Sequence, residues 1–327
     1  MKRFRVGLTF NLKRVDPTRD DAEAEYDSPK TVGAIEGAIA SYGHRVVRLE
    51  ATPDLARTLP RARVDVVFNL AEGGRGRSRE AHVPALCELL GIPYTGSDPA
   101  ALCVTLDKAM GKHILRDARI PTPGFFVAET AREPLPRGWR FPAIVKPNIE
   151  GTSKGITTKS VVDDEPTLRR RCRELIRRYR QPAIAEAYVA GREFTVGIVG
   201  YPRPQVFPPM EVVFLQPGPR TVYEFSLKQD WTGRLDYVCP AKLDRPATRR
   251  MQQLALDTFR VFGCRDVARV DFRMDRRGRM YVIEVNPLPG LTPAFSDLVM
   301  IAEAAGLPYR ELIGRILDGG IRRIGAP

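Results

Sequence analysis

The chain has 327 residues, 28% of them charged, and carries a formal net charge of +13 with a sequence pI near 9.8. That length suits two or three packed domains with substantial cores, and no run of eighteen apolar residues is present to span a bilayer. Met1-Lys2-Arg3 leads directly into a strand-like run without a secretory leader pattern, so the cytoplasm is the expected compartment and no membrane partner is expected.

Phe4 to Phe10 reads as a first strand, residues 29 to 42 as a helix, Arg45 to Leu49 as a second strand and Val64 to Asn69 as a third. This order predicts an open parallel sheet over residues 1 to about 105. No G-x-G-x-x-G follows the first strand, which argues against a dinucleotide-binding domain. Between that strand and the first helix, Asp16, Asp20, Asp21, Glu23, Glu25 and Asp27 make an acidic segment. Glu80 to Leu90 reads as helical, and Gly91-Ile-Pro-Tyr-Thr-Gly-Ser97 as a loop before a helix beginning near Ala100. The five cysteines, at 87, 103, 172, 239 and 264, show no C-x-x-C spacing and are expected to be reduced, mostly buried and not zinc ligands.

The character of the chain changes after Asp107. Ile120-Pro-Thr-Pro-Gly124 reads as a linker, and Ala143-Ile-Val-Lys146 as a strand ending in a lysine. In the loop that follows, Gly151 and Gly155 bracket Thr152, Ser153 and Lys154, so that consecutive backbone N–H groups can converge on an anion with Lys154 beside it. The same spacing also serves an ordinary β-turn. Thr167 to Tyr179 predicts an amphipathic helix with Leu168, Cys172, Leu175, Ile176 and Tyr179 inward. Seven arginines between Arg169 and Arg180 could meet nucleic acid, but no aromatic residues are interleaved with them, so a solvated basic face is preferred and a nucleic-acid partner disfavoured. Only ten lysines stand against forty-two arginines. An ammonium is a compact point charge suited to phosphate, which makes Lys108, Lys146, Lys154 and Lys228 candidate phosphate contacts. Strands are expected over Gln181 to Val189, presenting Glu186, and from Gly191 onward, with Glu193 at its mouth. These carboxylates could accept hydrogen bonds from an adenine amino group and ribose hydroxyls, or pair with neighbouring arginines.

Val267 to Met274 alternates Val270, Phe272 and Met274 against Arg269, Asp271 and Arg273. After a turn at 276 to 278, Met280 to Asn286 alternates Tyr281, Ile283 and Val285 against Val282, Glu284 and Asn286. If Met274 pairs with Arg279 across a four-residue loop, Asp271 lands beside Val282 and Glu284, and a loop one residue longer would break that geometry. Two carboxylates, an amide and an arginine on one face suit Mg²⁺ held against nucleotide phosphates better than a closed metal cage; a solvated polar face is the plainer alternative.

In order and spacing these segments resemble the ATP-grasp superfamily, and within it the D-alanine–D-alanine ligases, from about Gly91 to Leu317. The resemblance is carried by Gly-Ile-Pro-Tyr-Thr-Gly-Ser97, Leu-Asp-Lys108, Ile-Val-Lys146-Pro, Glu-Gly-Thr-Ser153, Gly-Arg-Glu193-Phe-Thr-Val, Cys239-Pro-Ala, Arg269-Val-Asp271 and Glu284-Val-Asn286-Pro-Leu-Pro-Gly-Leu-Thr292. It implies an α/β ATP-grasp fold: an N-terminal open parallel-sheet domain (1–105), a central lid domain (106–184) and a C-terminal domain (185–327), the last two being α+β lobes that enclose ATP. It further implies that Lys108, Lys146, Gly151 and Lys154 meet ATP phosphates, that Glu186 and the backbone near Tyr188 and Val189 receive adenine, and that Glu193 binds ribose. Asp271, Glu284 and Asn286 match the ligands of two Mg²⁺ ions, for which Mn²⁺ can substitute. Arg269 matches the arginine that stabilises the oxyanion of the tetrahedral intermediate, Lys228 an additional phosphate lysine, and the loop at Thr152 and Ser153 the lid. The implied reaction joins two amino acids through an acyl phosphate, releasing ADP and phosphate, and related ligases are commonly homodimers.

The chain departs from that pattern where substrates bind. After the first strand it reads Thr9-Phe-Asn-Leu-Lys-Arg-Val-Asp16 in place of a glutamate and serine motif, with the acidic segment as a substitute or as a solvated loop. Gln229 stands where a tyrosine is usual. Gly290 and Ser296 are candidates for the second substrate, with Ser296 one position late behind Phe295. Two rival functions follow: a ligase joining other amino acids or an amino acid to another amine, and a non-catalytic nucleotide- or nucleic-acid-binding protein.

Overall fold

The computed structural model describes residues 2–14, 21, 23–215 and 233–325. Strand β1 (Arg5–Phe10) lies between β2 (Arg45–Glu50) and β3 (Val66–Asn69), parallel to both. Val6 and Leu8 of this central strand are fully buried. Helix α1 (Pro29–Ala40) opens with Ser28 accepting the Thr31 amide and Pro29 in its first turn, and packs Val32, Ile35 and Ile39 over the sheet. Helix α2 (Leu55–Ala62) returns the chain to β3, and α3 (His82–Leu89), α4 (Pro99–Leu106) and α5 (Lys108–Asp117) follow. The expected parallel sheet is therefore present, with its third strand starting two residues later than its apolar run.

Strands β4 (Phe125–Ala128), β5 (Ala143–Pro147), β6 (Val161–Val162) and β7 (Ala183–Ala187) form an antiparallel sheet in the order β4-β7-β5-β6. Helix α6 (Glu165–Tyr179) covers it with Leu168, Cys172 and Leu175, as its periodicity predicts. Because β7 pairs with both β4 and β5, the expected boundary at 184/185 falls inside this sheet.

The third sheet contains β8 (Gly191–Val199), β9 (Gln205–Val206), β10 (Met210–Phe214), β11 (Leu235–Val238), β12 (Val267–Asp275) and β13 (Met280–Asn286). Its order is β11-β10-β8-β12-β13, with β9 also on β8, and all its pairs are antiparallel. Helix α7 (Arg245–Val261) buries Met251, Ala255 and Phe259 against Val196, Val270 and Phe272. Helices α8 (Asp297–Ala304) and α9 (Tyr309–Arg322) then return to the first sheet, where Leu312, Ile313 and Ile316 join Val66 and Phe68 in one core.

The β12–β13 register corrects the expectation. Met274 pairs with Met280, not Arg279, so the connection is one residue longer than the assumed loop. A β-bulge between Asp271 and Phe272 then compensates: Phe272 faces Val282, but Asp271 faces Glu284. The extra residue is Ile283. Its insertion turns Met280, Val282 and Val285 into the core while Glu284 and Asn286 stay on the open face, so Val282 is not on the polar face as simple alternation implies.

Candidate active site

Two cavities meet over the open face of the β12–β13 hairpin. The first, of about 110 Å³, lies between the second and third sheets and is lined by Lys146, Ser153, Lys154, Glu186, Tyr188, Val189, Glu193 and Asp271. The second, of about 390 Å³, is walled by the N-terminal loops and by Asn286, Gly290 and Ser296, with Gly151 and Thr152 at its side. Lys108, Glu150, Arg269, Glu284 and Asp297 line both and mark the junction. Every expected site residue among the described ones thus borders one cavity or the other; Lys228 lies outside the described residues, as does Gln229.

In the first cavity Glu186 is 1% exposed and sits between Lys146 Nζ at 2.7 Å and Lys112 Nζ at 3.0 Å. Burial works to raise the Glu186 carboxyl, but the two ammonium groups outweigh it and hold it below the usual range. Burial pushes Lys112 down to about 8 despite Glu186. Burial also opposes the Lys146 charge, and there Glu186 and Glu284 win, so its pKa rises. Lys112 is tied further to Thr122 Oγ1 and to the Ile283 carbonyl, both at 3.1 Å. Each Glu186 carboxylate oxygen therefore faces one ammonium, Oε1 that of Lys146 and Oε2 that of Lys112. At the other end Arg273 donates to Glu193 at 2.9 Å and to the Tyr188 hydroxyl at 3.2 Å.

Arg269 forks onto Asp271 with two bonds of 2.9 Å and reaches Asp297 at 3.4 Å. Burial disfavours its charge, yet Asp271 and Asp297 raise its pKa, so the guanidinium is fixed and permanently cationic. Asp271 also accepts from Thr195 Oγ1 at 2.8 Å and from Asn286 Nδ2 at 3.0 Å, which uses about four acceptor positions, all a carboxylate has. Lys108 stands 3.2 Å from Glu284 and also donates to the Glu150 carbonyl. Two carboxylates opposite one another across the bulged ladder, with the Asn286 amide beside them, form a hard-oxygen donor set that fits a divalent cation. Asp271 must release a donor to ligate.

The loop after β5 departs from the simple anion cradle. Thr152, Ser153 and Gly155 all have left-handed φ, of 48°, 56° and 71°. The Gly151 N–H is already taken at 2.8 Å by Glu25 Oε1, so a protein carboxylate fills part of the expected nest. Glu25 is itself held by Arg79 Nη2 at 3.0 and 3.1 Å, with both side chains less than a tenth exposed. Lys154 pairs with Glu150 at 2.6 Å. The acidic segment is consequently not a solvated loop where it is described: the Glu25 side chain is paired with Arg79, and Asp21 accepts from Tyr179 at 2.6 Å and Arg178 at 3.0 Å. Asp16 and Asp20 lie outside the described residues. At the far end of the second cavity, Ser296 Oγ accepts from the Thr292 amide at 2.9 Å. A Cβ on Gly290 would approach that hydroxyl oxygen to 2.9 Å, so the glycine leaves it room.

A family model described as the D-ala D-ala ligase C-terminus matches residues 125–318. A D-alanine–D-alanine ligase of Moorella thermoacetica is 33% identical over 300 residues, covering 89% of this chain and 93% of its own. The chain belongs to the D-alanine–D-alanine ligase family. A Sinorhizobium fredii relative named uncharacterized protein y4sG is 35% identical over 298 residues, 89% of this chain and 87% of that one. The crystal structure of a Bacillus anthracis D-alanine–D-alanine ligase complexed with ATP shares the fold, with a TM-score of 0.77 at 24% identity over 99% of this chain and 100% of that chain.

Within this ATP-grasp framework, sequence reasoning missed Lys112, Arg79, Glu72, Glu80 and Asp297. Lys112 carried a usable signal, being a rare lysine one helical turn after Lys108. Arg79 did not: in an arginine-rich chain nothing marks the one whose partner, Glu25, lies 54 residues earlier.

Proposed function

We propose that this chain is an ATP-dependent carboxylate–amine ligase that joins two amino acids through an acyl phosphate, releasing ADP and phosphate. The observation that carries this reading is the junction of the two cavities, where Lys108, Arg269 and Glu284 border both. A phosphoryl group delivered from the first cavity and a carboxylate held in the second would meet there.

In this reading the second and third sheets enclose the nucleotide between them, and the N-terminal loops close the amino-acid cavity from the other side. Glu186 receives the adenine amino group, Tyr188 and Val189 offer backbone to the base, and Glu193, steadied by Arg273, takes ribose hydroxyls. Lys108, Lys146, Lys154 and Lys228 neutralise phosphate oxygens. Asp271, Glu284 and Asn286 would hold Mg²⁺, which when bound draws charge from the phosphoryl oxygens. The amine of the second substrate attacks the acyl carbon, the permanently charged Arg269 meets the oxyanion, and as the intermediate collapses the acyl–oxygen bond breaks and the departing phosphate carries away the amine's proton. The turn of Gly151, Thr152, Ser153 and Lys154 stands between the cavities and keeps water from the acyl phosphate. Gly290 and Ser296 sit where the second substrate's carboxylate would lie.

Glu284→Gln tests this assignment. It should lower amino-acid-dependent ADP release by at least about 10²-fold, the scale of one lost electrostatic contact, with the circular dichroism melt retained. Near-normal release would remove Glu284 from the site.

A further inference from the structure

Lys112 is a buried cation that lines neither cavity. Its ammonium meets three acceptors from three segments: Glu186 Oε2 on β7 at 3.0 Å, Thr122 Oγ1 ahead of β4 at 3.1 Å, and the carbonyl of Ile283, the bulge residue of β13, at 3.1 Å. An ammonium has three hydrogens, so this one is saturated and held in place. Lys146 differs. It lines the first cavity, and its ammonium has Glu186 as its single direct partner among the described residues.

Glu186 is the carboxylate the two lysines share. In the ligase reading Lys146 turns to a phosphate oxygen, and a carboxylate this deeply buried then keeps its charge only if the other ammonium stays. Burial works to raise the Glu186 carboxyl, and of the two ammonium charges that bring it down, that of Lys112 is the larger. The charge decides which base is received. A carboxylate only accepts hydrogen bonds, so it takes the 6-amino group of adenine and repels the 6-oxo group of hypoxanthine or guanine. A protonated carboxyl has a hydrogen to give and loses that preference.

We propose that Lys112 is the positioning residue that sets the purine selectivity of the first cavity: anchored by Thr122 and the Ile283 carbonyl, it keeps Glu186 ionised and aimed at the base while Lys146 serves the phosphates. This rests on the ligase reading for the placement of ATP in that cavity. Because Lys112 also holds the residue next to Glu284, its loss weakens every nucleotide to some degree. Only the ratio between bases reports the selectivity.

The test measures the Kd of ATP and of inosine triphosphate, which carries a 6-oxo group in place of the 6-amino group, by calorimetric titration with Mg²⁺. Amino-acid-dependent release of the nucleoside diphosphate is followed in parallel. The wild-type chain should prefer ATP by about 10²-fold or more, and Lys112→Met should shrink that preference to less than about ten-fold. Lys146→Met should weaken both nucleotides alike and keep the preference. Lys112→Gln, which retains donor hydrogens without the charge, carries the same expectation as Lys112→Met and replaces it if that variant does not fold. A wild-type chain indifferent to the base, or a Lys112 variant that weakens both nucleotides equally, would overturn the inference; so would a preference lost in Lys146→Met and kept in Lys112→Met. A kept preference in the Lys112 variants together with amino-acid-dependent diphosphate release would overturn the inference and leave the ligase reading standing. A preference lost only with Lys112, in a chain that releases no diphosphate with any amino acid, would support the inference and remove the ligase reading.

Discussion

Glu186 shows how a single side chain is tuned by two partners from different elements. Lys146 ends β5 and Lys112 lies on α5, and together they keep a fully buried carboxylate ionised. Lys112→Met should cost on the order of 2 kcal/mol in urea denaturation, because a charge-assisted bond is lost while Lys146 remains, and should raise the KM for ATP. Unchanged stability would mean the pair contributes nothing net. The Glu80 carboxyl works in the opposite sense. Its pKa rises from the ordinary 4.5 to about 8, through burial first and Glu25 next. Below about pH 4.5 folded and unfolded chains both hold the proton; between there and about pH 8 the unfolded chain gives it up first, so stability falls as pH rises. Glu80→Gln should flatten the decline of the melting temperature between pH 5 and about pH 8, and an identical slope in the variant would contradict this. Neither partnership was legible in the sequence, since burial and through-space neighbours create both.

Among the elements, the hairpin was legible in kind and misjudged in register. Alternation located β12 and β13 to within a residue, but counting could not reveal a bulge that adds Ile283 and so restores Asp271 opposite Glu284 after a longer turn. A bulge is a backbone event with no fixed residue signature, whereas α6 was legible because Leu168, Cys172 and Leu175 keep strict helical spacing. The loop after β5 was recognised by its glycines, and Gly155 is required there: its φ is 71°, and a Cβ would meet Tyr179 Cε2 at 2.8 Å and Pro147 Cγ at 2.9 Å. Gly155→Ala should therefore cost at least about 1–2 kcal/mol and weaken ATP binding, read by denaturation and by the KM for ATP. A neutral outcome would show that the loop tolerates another path.

At the scale of the molecule, the first and third sheets are locked by Asp266, which is fully buried and has φ of 61°. Its carboxylate accepts the Gly96 amide at 2.8 Å and pairs with Arg323 just past α9. Asp266→Ala should destabilise the protein by about 3 kcal/mol in urea, because it leaves the buried Gly96 N–H without an acceptor and Arg323 with the Tyr94 carbonyl but no counter-charge. The parallel N-terminal sheet was legible because strands and helices alternate there, whereas the two α+β lobes after Asp107 were legible only through the family resemblance. The high net charge gave no such guidance, because arginines recur along the whole sequence. That architecture brings the two cavities together, and in the proposed reaction a carboxylate is activated by ATP at their junction and then joined to an amine. Its most direct measurement is ADP release over a panel of amino acids with ATP and Mg²⁺, with product mass read in the same reaction. The expected result is amino-acid-dependent ADP release, matched one for one by a product whose mass is that of two substrates less one water. ADP release that ignores the amino acid, or the absence of any condensed product, would contradict it.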